Sequence, residues 1–107
     1  MALTGAQKRH LRALAHALKP VVMVGQRGVT STLLKQVDQA LTDHELIKIK
    51  LTPECPFTRE EIAAQLDSDS GADCAGTIGR VIILYRAHPE TPVIQLPRQR
   101  AVAEQAS

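Results

Sequence analysis

Between Gly5 and Leu18 the leucines recur at helical spacing. Leu11, Leu14 and Leu18 fall within an arc of roughly 60° at ~100° per residue. Thr4 and Gln7, three residues apart, form a capping box, so the first element is predicted as a helix over Gly5 to Leu18. Pro20 ends it, because the residue before a proline disfavours the α region. Val21 to Val24 then reads as a short buried strand. Gly25-Gln26-Arg27-Gly28 closes a tight turn, and Thr30 caps a second helix over about Ser31 to Thr42. That helix gathers Leu33, Leu34, Val37, Ala40 and Leu41 on one face and turns Lys35 away. From Glu45 to Leu51 the period switches to two: Ile47, Ile49 and Leu51 face one way, Lys48 and Lys50 the other. Strand, helix and strand joined by short loops predict a right-handed βαβ unit with parallel pairing.

Thr52 to Phe57 is a loop punctuated by Pro53 and Pro56. Thr58 with Glu61 makes a second capping box for a short third helix carrying Ile62, Ala63 and Leu66, closed by the polar run Asp67 to Gly71. Ala72 to Ile78 and Val81 to Tyr85 are predicted strands, joined through Gly79-Arg80 as a hairpin. Beyond Ala87, three prolines and a polar end predict an extended arm and a frayed terminus. One domain over 1–98 with a flexible tail over 99–107 is the expected organisation.

Composition narrows the class. A chain of 107 residues, 44% of them apolar, suits one small folded domain. No apolar run approaches the ~20 residues of a membrane span. The start Met1-Ala2-Leu3-Thr4-Gly5 has neither the charged nor the apolar region of a signal peptide. A cytoplasmic protein with no membrane contact is expected, with Cys55 and Cys74 as free thiols. Residues 1–50 hold eight Lys/Arg against three Asp/Glu, while residues 51–107 hold five against eight. On the first helix Lys8, Arg12, His16 and Lys19 occupy an arc of roughly 80°, with Arg9 at its edge. A basic first half suits a polyanion.

Several chemistries drop out. His44-Glu45 lacks the second histidine of a metalloprotease helix, and His10, His16, His44 and His88 are scattered. Nothing local marks a nucleophile with its base. The glycine loop is too short for a Walker loop and lacks its Lys-Ser/Thr ending, and it lacks the third glycine of a dinucleotide fingerprint. No catalysis, metal, cofactor or small-molecule substrate is therefore expected. Phe57 and Tyr85 are the two aromatics, too few for a stacking platform of the RRM or OB type. Recognition of phosphates remains. Gly25 and Gly28 remove the Cβ that would hold a phosphate away, and the loop leads into a helix N-terminus. Gln26 and Arg27 form its tip, and Lys8, Arg12, Lys19, Lys48 and Lys50 are the expected phosphate contacts. Lys35, Arg80 and Arg86 rank second, since charges at element ends are commonly solvated or paired. Taken alone, such a loop is a common turn, and a protein-interaction module is the alternative.

Four blocks in order carry a family resemblance: Leu18-Lys19-Pro20-Val21-Val22 leading to Gly25-Gln26-Arg27-Gly28, His44-Glu45-Leu46-Ile47-Lys48-Ile49-Lys50, Ile78-Gly79-Arg80, and Leu84-Tyr85-Arg86. From about Thr4 to Arg98 the chain resembles the CRM domain (chloroplast RNA splicing and ribosome maturation) in its stand-alone bacterial, YhbY-like form. The resemblance implies an α/β fold of order α-β-α-β-α-β-β with a four-stranded mixed sheet, similar to the C-terminal domain of translation initiation factor three. It also implies RNA binding, association with precursors of the large ribosomal subunit, and a Gly-x-x-Gly loop in RNA contact at Gly25 to Gly28; a module docking a ribosomal protein or assembly factor is the alternative. Asp73-Cys74-Ala75-Gly76-Thr77 departs from the apolar segment expected there, so the third strand is expected to be irregular.

Overall fold

The structure, a computed structural model, describes residues 3–94. Their elements are α1 (Gly5–Ala15), β1 (Val22–Val24), α2 (Ser31–His44), β2 (Leu46–Leu51), α3 (Arg59–Ser70), β3 (Asp73–Ile78) and β4 (Val81–Tyr85). The strands form one mixed sheet in the order β1-β2-β4-β3. β1 and β2 run parallel, as a βαβ unit requires, while β4 is antiparallel to both β2 and β3. The predicted flexible tail and most of the proline-rich arm's end lie outside the described residues.

Alternation along the strands divides the core in two. Ile47, Ile49 and Leu51, with Ile82 and Leu84, pack on one face against Leu33, Val37 and Leu41 of α2 and Ile62 and Leu66 of α3. On the other face Leu46, Ile83 and Tyr85 pack against Leu11 and Ala15 of α1. One helix therefore covers one side of the sheet and two cover the other. Since α1 alone is too narrow for four strands, part of its face stays open.

The helix starts follow the sequence. Both capping boxes form: Thr4 Oγ1 accepts from Gln7 N at 3.1 Å and Thr58 Oγ1 from Glu61 N at 3.1 Å, each glutamate or glutamine side chain bonding back. The helix ends differ. α1 stops at Ala15 rather than Leu18, tightening into a turn in which Leu18 N donates to Ala15 O at 2.9 Å before the chain extends into Pro20. Its core-facing line is Leu11 and Ala15, whereas Leu14 and Leu18 are exposed and line a cavity of about 450 Å³ with Val21, Leu46 and Ile94. α2 runs two residues further than expected, to His44. α3 continues through the polar run to Ser70, whose hydroxyl donates to Leu66 O at 2.6 Å, and stops at Gly71 in the left-handed conformation.

Glu45, expected to open β2, instead joins α2 to it at φ +66°. A non-glycine residue there costs of order 1–3 kcal/mol. Its buried carboxylate offsets this by accepting from three backbone N–H groups: His88 at 2.7 Å, Val93 at 3.0 Å and Ile94 at 2.7 Å. The extended arm after β4 is thereby fastened to the α2–β2 junction.

The third strand is irregular, as the polar segment foretold. Its ladder with β4 shifts register between Cys74 and Gly76, leaving Ala75 as the extra residue of a bulge. Arg12 Nη1 donates to the Ala75 carbonyl at 3.0 Å, and the Arg12 stem lies where Gly76 has no side chain.

Candidate nucleic-acid interface

β1 ends at Val24 and the chain turns at once, Gly28 N donating to Gly25 O at 3.0 Å. Thr30 then caps α2 by accepting from Leu33 N at 3.1 Å. The N–H groups of Ser31 and Thr32, in the first turn, have no partner within the helix and lie at its positive end. Gln26 and Arg27 stand exposed at the tip.

The two glycines of this loop do different work. Gly28 has φ +66°, and a Cβ there would come within 2.6 Å of Phe57 Cε2. The fold itself therefore demands glycine at 28. Gly25 is not in the positive-φ region, and a Cβ there would meet nothing closer than Thr52 Oγ1 at 3.8 Å. The fold makes no such demand at 25. A missing side chain at Gly25 leaves the backbone approachable from outside.

Beside the loop lies the part of the sheet that α1 leaves open. Met23 pairs with Lys50, Lys50 with Val81, and Val81 with Ile78, so these four stand in one row on the α1 side. Met23 and Ile78 are exposed by 52% and 61%, and Lys50 is exposed between them. The next row carries Lys48, Ile83 and Gly76, with Arg12 above the last.

This arrangement sorts the cations picked out in the sequence. Arg27 and Lys50 stand free at the loop end of the sheet. Lys48 and Arg12 lie one row away and are tied to backbone carbonyls, Lys48 Nζ to Leu18 O at 3.0 Å and Arg12 to Ala75. Lys8 is placed near Asp73, at the far end of β3 from the hairpin turn. Lys19 borders the apolar cavity at the start of β1, remote from Gly25 along the strand. The loop is thus not grouped with every residue of the basic stripe. Of the secondary candidates, Lys35 is exposed on α2, and Arg86 is engaged with Asp38, Nη1 to Oδ1 at 2.8 Å.

Two residues at the loop end escaped the sequence reading or were ranked low. Arg59 Nη1 donates to Gly79 O at 2.8 Å and its Nε to Glu60 at 2.9 Å, while Arg80 Nη1 donates to Thr52 O at 3.2 Å. Both line a cavity of about 330 Å³ with Phe57 and Thr58. Their gathering depends on the hairpin turn meeting the start of α3, a long-range contact with no local signature. Both cysteines are free thiols: Cys55 lines the same cavity, and burial pushes the Cys74 thiol up.

A mixed four-stranded sheet, helices on both faces and a glycine loop leading into a helix N-terminus define a small α/β domain. Residues 3–86 match the CRS1 / YhbY (CRM) domain, and the chain belongs to that family. It is 40% identical over 95 residues to the "Probable RNA-binding protein YqeI" of Bacillus subtilis (strain 168), covering 89% of this chain and 99% of that one. It is likewise 40% identical over 97 residues to a Haemophilus influenzae protein named "RNA-binding protein", covering 91% and 97%. The solution structure of the hypothetical protein SAV1595 from Staphylococcus aureus superposes with a TM-score of 0.77 at 36% identity, over 89% of this chain and 99% of that one.

Proposed function

We propose that this protein binds structured RNA through its phosphate backbone, at the Gly25–Gly28 loop and the neighbouring cations Arg27, Lys50, Arg59 and Arg80. The observation that carries this reading is Gly25, a glycine that neither backbone conformation nor packing requires. A phosphate can approach its backbone closely, within reach of the Arg27 side chain and the free N–H groups opening α2. The names of the Bacillus and Haemophilus relatives support RNA as the ligand. The RNA is ribosomal RNA in precursors of the large subunit, where the protein assists assembly in the cytoplasm without catalysing a reaction.

Cross-linking in cells with sequencing of the attached RNA tests this. Enrichment of large-subunit precursor RNA is expected, as is loss of particle association after ribonuclease treatment. Association that survives ribonuclease would instead assign the protein a protein partner.

A further inference from the structure

Of the two aromatic residues, Tyr85 is buried under α1 and Phe57 is 45% exposed. Phe57 is also held in place. The Cδ2–Cε2 edge of its ring rests on the Gly28 backbone, where a Cβ would lie 2.6–2.8 Å from those atoms. The loop proposed to hold a phosphate therefore also fixes an aromatic ring beside it. Arg59 and Arg80 flank this ring across the 330 Å³ cavity, each anchored by one donor to a backbone carbonyl, and Arg59 Nε also donates to the Glu60 carboxylate at the cavity wall. A guanidinium has five N–H donors, so both keep donors for a ligand.

An aromatic ring, cations and a phosphate cradle side by side suit one nucleotide whose base is free. In a stem the base faces are hidden, so an exposed ring finds a partner where a nucleotide is unpaired. We infer that Phe57 stacks on a single unpaired base of the bound RNA, with Arg59 and Arg80 contacting its flanking phosphates. One ring makes a one-base site rather than a platform. This rests on the RNA-binding reading and adds to it a preference for a bulge or loop next to a stem.

The test uses the full chain and two hairpin RNAs, one with an uninterrupted stem and one with a single bulged uridine, followed by fluorescence anisotropy. The bulged hairpin should bind roughly tenfold more tightly, in line with stacking on one base. Phe57→Leu should remove that difference while leaving the uninterrupted hairpin unchanged, and Phe57→Tyr should keep it. With 5-iodouridine at the bulge, irradiation of the unmodified chain should cross-link the base to Phe57, a readout that holds even where Phe57→Leu fails to fold. Equal affinity of the unmodified chain for the two hairpins, or equal loss on both in a folded Phe57→Leu, would overturn the stacking site while leaving phosphate binding intact. So would a cross-link located elsewhere. Binding to neither hairpin would overturn both readings.

Discussion

The side chain of Arg12 occupies the space over Gly76: a Cβ at 76 would fall 2.7 Å from Arg12 Cδ. The same arginine satisfies the Ala75 carbonyl that the β3 bulge takes out of the ladder. A basic side chain of the α1 stripe is thus also the piece that seats α1 on the sheet.

Arg12→Ala should therefore lower stability by about 1–3 kcal/mol, through an unpaired part-buried carbonyl and lost packing of the stem. Gly76→Ala should also destabilise, because the added methyl meets Arg12. The two changes should not add. In the Arg12→Ala background the Gly76→Ala change should be close to neutral, which thermal unfolding of the four proteins in the cycle measures.

Glu45 predicts an acid sensitivity confined to the arm. Burial opposes its charge, but the N–H groups of His88, Ile94 and Val93, with the His88 charge, hold the carboxyl below its ordinary range. A lowered folded-state pKa stabilises at full strength above the unfolded value, about 4.3 for glutamate. That contribution is lost as pH falls through the lowered value. The amide NMR signals of His88, Val93 and Ile94 should hold steady down to the ordinary glutamate value of about 4.3 and shift together only below it. Glu45→Gln, which replaces one accepting oxygen with a donor, should release the arm at every pH. A carboxyl titrating at or above the ordinary value would contradict this account.

The division of cations along the sheet predicts a division in salt dependence. Four phosphates held by Arg27, Lys50, Arg59 and Arg80 give a slope of log K against log salt of roughly −3 to −4. Lys50→Ala and Arg80→Ala should each flatten it by about 0.7–0.9. Lys19→Ala, at the other end of β1, should leave the slope unchanged. Binding insensitive to salt would remove the phosphate mechanism.

What the sequence made legible was local. The capping residues Thr4, Thr30 and Thr58 and the alternation of Ile47 to Leu51 mark their elements because partners lie within a few residues. Even the irregular β3 was visible, since Asp73-Cys74-Ala75-Gly76 lacks strand-forming side chains. What stayed hidden depends on distant contacts. Leu14 and Leu18 sit on the helical stripe, but α1 seats through Leu11 and Ala15 because the slot at Gly76 draws Arg12 toward β3. Glu45 looks like a strand residue until the arm 43–49 positions later supplies its three donors. The meeting of Phe57 with Gly28, and of Arg59 with the turn at Gly79, joins segments that nothing nearby in the chain announces.

The glycine pair offers the most direct measurement of the central claim. Gly28→Val should lose both fold and binding, since it forces a branched side chain to φ +66° and into the Phe57 ring. It cannot separate the two roles. Gly25→Ala can, because the fold has room for the methyl and an alanine lowers the entropy of the unfolded chain. Melting temperature and affinity for structured ribosomal RNA should be measured on Gly25→Ala at fixed salt. The account predicts an unchanged or slightly raised melting temperature with affinity reduced about tenfold, the loss of one charge-assisted contact. Undiminished affinity in a folded Gly25→Ala would contradict it and leave the loop a turn.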